Sequence, residues 1–271
     1  MRLHIAFLAT CLVAGVPAYA SAQEPVTDIV KKMKEVFEPV RPSTRKVVIS
    51  INAGNEKIQW VAGQARKELP DGKRMLMVML APESVKGMAY LIAEPKDKPT
   101  IMWTYLPALR RVRGLVPVDA YEHFLGTDFT YADLGFVRLH EKYRLLGEKE
   151  HAGAHAYRVE EQVPQERAYY SRLITWVAAD SLLPLQRDYY DVAGTLWKTE
   201  LFEQVAVIDG VPTPLRTRMQ DVQQKTSTEL NVSEVRYNVD IPDALFDPEG
   251  LPQVAAHPLW QAYSSQAATG Q

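Results

Sequence analysis

The sequence has one cysteine in 271 residues, Cys11, and this residue lies in the first apolar stretch of the chain. That stretch is typical of a secretory signal peptide, because Arg2 is followed by an apolar run, Ile5 to Val16, and then by small residues up to Ala22. Cleavage is expected after Ala22, with Ala20 as the second choice. The mature chain would then form no disulfide although it enters an oxidising compartment.

The position of Cys11 also allows one alternative. The residues before it, Leu8 to Thr10, faintly resemble a lipoprotein acylation site. Cys11 nevertheless lies inside the apolar run and leaves almost no charged region ahead of it, which disfavours acylation.

Long apolar runs and a strong net charge are also missing. No later stretch approaches the roughly 20 apolar residues that a membrane-spanning helix needs. The formal net charge is −2, which lacks the basic field that nucleic-acid binding requires. We therefore expect a mature protein that is soluble in the periplasm and has no nucleic-acid partner.

The common catalytic and metal-binding signatures are absent too. The sequence contains no G-x-S-x-G, H-E-x-x-H, phosphate-loop or dinucleotide-binding motif. His151 and His155 are four residues apart, but they flank a predicted turn, 152–154, which does not align two metal ligands. The sequence predicts a protein that is not an enzyme and that holds no metal or cofactor.

One amphipathic helix and a long series of strands make up the rest of the pattern. Apolar residues recur at helical spacing from Thr27 to Phe37, where Thr27 can cap the helix and Pro39 prevents its continuation. The remaining chain predicts about eleven antiparallel strands. Pro70–Gly72 and Asp209–Gly210 are typical of the turns between them.

These patterns predict three regions. Residues 1–22 form the signal peptide, 23–252 form one domain, and 253–271 form a loose tail rich in small residues. A chain of this length can also divide into two smaller β domains. A long antiparallel meander must close or cover its edges. We expect a mainly β protein with an open, incomplete antiparallel β-barrel, and the amphipathic helix as its cover.

One predicted strand has no polar residue on either face. Its alternation places Met75, Met77 and Met79 on one side and residues 76, 78 and 80 on the other. Methionine is flexible and adapts to ligands of changing shape, whereas Leu and Val suit a fixed core. The methionine side is therefore assigned to a ligand cavity. The alternative is an ordinary core under the helix on both sides.

The segment Gly126–Leu134 has a simple structural interpretation. Gly126 allows a sharp turn, and Thr130 with Asp133 forms a capping box. The alternative makes Asp128 and Asp133 catalytic carboxylates beside His123, on sequence proximity alone.

Three arginines lie at the start of a predicted strand. Alternation puts Arg111 and Arg113 on one face and Arg110 on the other. Two guanidinium groups on one face can hold an anionic headgroup at a cavity mouth. The alternative is a solvated surface whose ion pairs contribute about 0–1 kcal/mol each.

The segments Trp103–Arg113 (WTYLPALRRVR) and Phe124–Leu134 (FLGTDFTYADL) carry a family resemblance. They resemble the LolA-like outer membrane lipoprotein-sorting proteins, whose members have a YLPALxRVR strand pair and a GTDFTYADL-like turn. Further matches extend the resemblance over about residues 48–251. The resemblance implies an incomplete antiparallel barrel with helices over a hydrophobic cavity.

The same resemblance implies a periplasmic carrier that moves a lipid or a lipid-modified protein towards the outer membrane. Its partners would be an inner-membrane exporter as donor and an outer-membrane acceptor. The alternative is an envelope docking or sensor protein associated with a membrane exporter. The predicted ligand-binding residues are Met75, Met77, Met79, Trp103, Tyr105, Arg111 and Arg113.

Overall fold

The computed structural model describes residues 25–53, 56–116, 119–135, 142–163 and 169–264. The predicted signal peptide, with Cys11, lies outside the described residues.

The described chain is mainly β, and all of its named strands belong to one antiparallel sheet. The thirteen strands are β1 Ser43–Ala53, β2 Glu56–Leu69, β3 Gly72–Ala81, β4 Ala89–Pro95, β5 Ile101–Leu106, β6 Arg111–Leu115, β7 Tyr143–His151, β8 Ala154–Gln162, β9 Tyr170–Ala178, β10 Pro184–Asp191, β11 Leu196–Ile208, β12 Val211–Asp221 and β13 Thr226–Tyr237. The predicted turns at Pro70–Gly72 and Asp209–Gly210 connect β2 to β3 and β11 to β12.

The strand order explains how the sheet is built from two meanders. Along the sheet it runs β6-β5-β4-β3-β2-β1-β13-β12-β11-β10-β9-β8-β7. The first and last strands pair with each other, from Ser43 opposite Tyr237 to Asn52 opposite Ser227. The edges are then β6 and β7, which follow one another in the chain. The connection between them, 116–142, must therefore pass from one edge of the sheet to the other.

The sheet is curled around a cavity. Residues from nine consecutive strands, β3 through β1 and β13 to β8, line a single cavity of about 380 Å³. Nine flat strands would extend about 38 Å at a spacing of roughly 4.8 Å, too far to enclose one such space. We call the face that lines the cavity the inner face and the opposite face the outer face. The prediction of an open antiparallel barrel is confirmed.

Helix α1, Val26–Phe37, covers the inner face at the β7 end. Ile29, Val30 and Met33 are buried and pack in one cluster with Val159 and Val177 of β8 and β9. The predicted amphipathic helix is therefore present. Its start differs from the prediction, because the helix begins after a proline at position 25 that makes no side-chain capping bond.

The outer face of β2 to β5 is covered by the C-terminal segment, Ile241–Tyr263. Trp260 is only 1% exposed and packs directly over Gly63 of β2. A Cβ atom at Gly63 would lie 2.3 Å from the indole ring, so the position requires glycine. The predicted loose tail is wrong for residues 253–264, where Trp260 and Tyr263 supply enough apolar surface to dock. Residues 265–271 lie outside the described residues.

Candidate functional site

The cavity on the inner face is the candidate site. Its volume of about 380 Å³ falls within the range of roughly 300–1,000 Å³ that small-molecule sites occupy. The wall combines apolar and polar side chains. The apolar lining includes Phe37, Val47, Met77, Phe129, Leu134, Val163, Leu173, Phe202, Leu230 and Val232, and the polar lining includes Arg45, Gln64, Arg66, Asp133, Glu161, Arg187, Glu200 and Tyr237.

The methionine side of β3 faces inward. Met75, Met77 and Met79 lie in the inner-face cluster and are at most 2% exposed, and Met77 lines the cavity. Met75 Sδ accepts a hydrogen bond from Gln64 Nε2 at 3.3 Å. Val78, on the opposite side of the strand, is fully buried with the C-terminal segment. The fixed core on that side is therefore formed with the C-terminal segment, not with α1.

The structure separates Trp103 and Tyr105 from the cavity. Both pack with the outer-face cluster under the C-terminal segment, because their neighbour Met102 occupies the inward position of β5. The alternation of β5 could be seen in the sequence, but the sequence did not show which of its two faces lines the cavity. These two residues do not belong to the cavity wall.

Arg111 and Arg113 share one face of the edge strand β6, as the alternation predicts, but neither lines the cavity. Both are exposed, and Arg113 Nη2 donates to Asp119 Oδ2. This arrangement corresponds to the solvated alternative. The structure brings Met77 to the cavity and leaves the two arginines outside it.

The conspicuous turn segment Phe124–Leu134 lies within the connection between the two edge strands. Thr130 N donates to Asp133 Oδ2 at 2.8 Å and Asp133 N donates to Thr130 Oγ1 at 3.1 Å, which is the predicted capping box. Phe129 and Leu134 line the cavity. The segment therefore forms part of the wall opposite the sheet.

Asp128 fastens this segment to the inner face of β13. Its carboxylate accepts hydrogen bonds from Thr226 Oγ1 at 2.5 Å and Thr228 Oγ1 at 2.6 Å. His123 Nδ1 lies 2.7 Å from the carbonyl oxygen of Thr127, so it does not contact Asp128 through this nitrogen. Asp128, Asp133 and His123, the residues of the catalytic alternative, therefore each have a structural partner.

A fully buried lysine gives a second attachment that the sequence analysis did not identify. Lys198 on β11 is 0% exposed, and its Nζ donates to the backbone oxygen of Asp128 at 2.7 Å. The same Nζ lies 3.9 Å from Asp133 Oδ2. Burial lowers the pKa of Lys198, and the nearby carboxylates oppose that shift. Its signal in the sequence was weak, because Lys198 shares its strand face with one charged residue, Glu200, and one apolar residue, Phe202.

Glu200 and its partners form a buried polar group on the wall. Tyr189 Oη donates to Glu200 Oε2 at 2.6 Å, and Arg187 Nη1 lies 3.5 Å from the same oxygen. Burial raises the pKa of Glu200 to about 7 because it outweighs the attraction of Arg187. Arg187 therefore has an acidic partner within the protein.

Arg45 and Arg66 contribute two further guanidinium groups to the wall. Burial, followed by the neighbouring positive charge of Arg45, lowers the pKa of Arg66 to about 10. Burial also lowers the pKa of Arg45. Both arginines occupy inward positions of strands β1 and β2, and neither was among the ligand-binding residues predicted from the sequence.

The described ranges were also expected to lack metal-binding clusters and membrane-spanning helices. In these ranges, no group of three or more His, Cys, Asp and Glu side chains is placed to hold a metal ion. His151 and His155 flank the turn between β7 and β8, where His151 stacks on Trp176 with ring centroids 4.1 Å apart. None of the described helices has the length and apolar character needed to cross a membrane.

Solved structures with the same fold come from bacteria. An outer membrane lipoprotein-sorting protein domain from Vibrio parahaemolyticus superposes with a TM-score of 0.78 at 23% identity, covering 84% of this chain and 98% of that one. A DUF1329 family protein from Desulfovibrio piger superposes with a TM-score of 0.78 at 29% identity, covering 83% of this chain and 97% of that one. A LolA superfamily protein from Nitrosomonas europaea superposes with a TM-score of 0.65 at 21% identity, covering 82% of this chain and 97% of that one. No curated protein matches the sequence significantly.

These neighbours confirm the fold that the resemblance to the LolA-like proteins implied. A family model described as "Uncharacterized protein" matches residues 71–253, more than half of the chain. The chain therefore belongs to that family, and its fold is that of the LolA superfamily.

Proposed function

We propose that this protein is a periplasmic carrier that binds an acyl chain of a lipid or lipid-modified protein in the inner-face cavity and moves it towards the outer membrane. The cavity of about 380 Å³, with apolar side chains from the sheet, α1 and the connection 116–142, is the observation that supports the proposal most directly. The predicted signal peptide supports export. The names of the structural neighbours, lipoprotein-sorting and LolA superfamily proteins, support the class of cargo.

The energetic need for such a carrier follows from the hydrophobic effect. Each methylene group costs about 0.8 kcal/mol when exposed to water, so a sixteen-carbon chain opposes its own diffusion by roughly 12 kcal/mol. A cavity that replaces water around the chain removes much of this barrier. Donor and acceptor would be an inner-membrane exporter and an outer-membrane component, with an affinity for the cargo between those of the two partners.

Release requires part of the wall to open, and α1 is suited to this movement. Phe37 at its end lines the cavity and meets Phe202 of β11 edge to face at a centroid distance of 5.3 Å. Lys34 Nζ lies 2.8 Å from Glu94 Oε1, which ties the helix to the end of β4. The helix thus contacts strands in both halves of the sheet, in addition to its apolar packing on β8 and β9.

The experiment uses the full chain expressed with its own N-terminus and purified without detergent. Organic extraction followed by mass spectrometry should find an acyl lipid at near one equivalent. Val232→Trp fills the cavity and should lose this lipid, whereas Ser233→Trp, the exposed neighbour on the outer face, should keep it. Folded protein without lipid, or equal lipid in both variants, would contradict the proposal, and a stable protein partner with an empty cavity would favour a docking or sensor role.

A further inference from the structure

One part of the cavity wall is polar and lies on two adjacent strands. In the pairing of β1 with β2, Ser43 is opposite Arg66 and Arg45 is opposite Gln64. Directly paired residues share a face of the sheet, so Arg45 and Arg66 are diagonal neighbours on the inner face. Both line the cavity. Two guanidinium groups are therefore presented side by side to the same space.

Arg45 has no acidic partner among the residues that the structure describes. Its Nη2 donates to Ser43 Oγ at 3.2 Å, and its guanidinium carbon lies 5.9 Å from the centre of the Tyr237 ring. Its Nε is buried without a hydrogen-bond partner in the same described region. Arg187, on the same cavity wall, is instead held by Glu200. A buried cation without a counter-charge is unfavourable, so an anion that enters the cavity is attracted to Arg45.

Arg66, unlike Arg45, has an acidic neighbour, but that acid is shared with other cations. The acid whose charge acts on Arg66 is Glu38. Glu38 Oε2 also lies 3.8 Å from Lys34 Nζ and 3.7 Å from Lys73 Nζ. Glu38 is thus shared among three cations, of which Lys34 also pairs with Glu94.

Apolar wall adjoins the two arginines directly. Val47 follows Arg45 two residues along β1, and Met77 lies opposite Gln64 on β3, so both project from the same face as the arginines. Both also line the cavity. A volume near the lower end of the usual range of about 300–1,000 Å³ suits one acyl chain better than several. The shape and chemistry of the space therefore match an amphiphile with one chain and one anionic end.

We propose that Arg45 and Arg66 bind the anionic headgroup, a carboxylate or a phosphate, of a single-chain lipid whose acyl chain lies along the apolar wall. This inference rests on the proposed function and specifies the ligand class for the same cavity. Guanidinium groups form paired, charge-assisted hydrogen bonds with both kinds of headgroup.

The test compares four probes on delipidated full-length protein, by displacement of a neutral fluorescent probe from the cavity. The probes are hexadecanoate, hexadecyl phosphate, hexadecanol and inorganic phosphate. We expect one or both anionic lipids to bind at least about tenfold more tightly than hexadecanol. The double variant Arg45→Gln/Arg66→Gln should lose this preference. The double variant Arg111→Gln/Arg113→Gln, which removes the same charge from the exposed edge strand, should keep it.

The outcomes separate the two proposals. Equal binding of hexadecanol and the anionic lipids by the wild type would overturn the headgroup site while leaving acyl-chain binding intact. Binding of inorganic phosphate without any chain-bearing probe would overturn both. If the glutamine variant does not fold, Arg45→Lys/Arg66→Lys provides the second test, because lysine keeps the charge but lacks the guanidinium fork. Its preference for the anionic lipid that the wild type favours should fall, and an unchanged preference would overturn the inference.

Discussion

The attachment of the connection 116–142 to the sheet can be tested at Asp128. This side chain is 6% exposed and accepts hydrogen bonds from Thr226 and Thr228 across about a hundred residues of sequence. Asp128→Ala removes both acceptor contacts and leaves two hydroxyl donors without their acceptor. A hydrogen bond to a charged group contributes about 1.5–3 kcal/mol, so we expect the free energy of unfolding to fall by about 3–5 kcal/mol.

A conservative variant and a control variant show whether the loss comes from the hydrogen bonds of Asp128. Asp128→Asn keeps one acceptor oxygen and should cost less, about 1–2 kcal/mol. Asp97→Ala removes an exposed carboxylate from a turn and should stay within about 0.5 kcal/mol of the wild type. Urea unfolding monitored by circular dichroism gives all three values, provided that the slope with denaturant is unchanged.

A double-mutant cycle then isolates the contact itself. Thr228 is 0% exposed, and Thr228→Val removes its hydroxyl at almost constant volume. The two changes at positions 128 and 228 should be coupled by at least about 1 kcal/mol, because each removes the partner of the other. Additive effects, or a loss below about 1 kcal/mol for Asp128→Ala, would refute the claim that this carboxylate fastens the segment to the sheet.

Three further predictions concern the two faces of the sheet and the buried acid. Met77→Lys should fold and lose bound lipid, because the charge can reach water in an emptied cavity, whereas Val78→Lys should fail to fold. Circular dichroism measures both, and a Met77→Lys protein as unfolded as Val78→Lys would contradict this. Gly63→Ala should destabilise the protein by about 1–3 kcal/mol in urea unfolding, since the Cβ would overlap Trp260. In the folded protein the pKa of Glu200 is about 7, against an ordinary value of 4.5, so the folded state binds this proton more tightly than the unfolded state does. The free energy of unfolding, compared with that of Glu200→Gln, should therefore fall by about 3 kcal/mol as the pH rises from the lower value to the higher. Parallel plots of stability against pH for the two proteins would exclude that shift.

Much of the fold could be predicted because strand alternation and turn residues are local signals. The turns at Pro70–Gly72 and Asp209–Gly210, the helix ending at Phe37 and the two-sided burial of β3 all follow from such patterns. The pairing of β1 with β13 is a contact between distant parts of the chain, and no local pattern determines it. That pairing makes β6 and β7 the edges, and several residues from Tyr121 to Gly135, which lie between them in the chain, line the cavity.

The candidate site was harder to predict for the same reason. Alternation indicated that residues 103 and 105 share a face of β5, but only the docking of the C-terminal segment decides that this face is outward. The pair Arg111 and Arg113 was conspicuous because two arginines alternate within three residues. Arg45 and Arg66 come together only through the register of β1 and β2. A sequence pattern shows which residues share a strand face, not which strands meet.

Photo-crosslinking gives the most direct test of the central claim that an acyl chain occupies the inner-face cavity. A hexadecanoic acid analogue with a diazirine in its chain would be bound to the full-length protein, activated by light and located by peptide mass spectrometry. We expect labels on cavity residues of the sheet and of the connection, such as Met77, Phe129 and Leu134. Labels confined to the outer face, around Trp103 and the C-terminal segment, would contradict the claim.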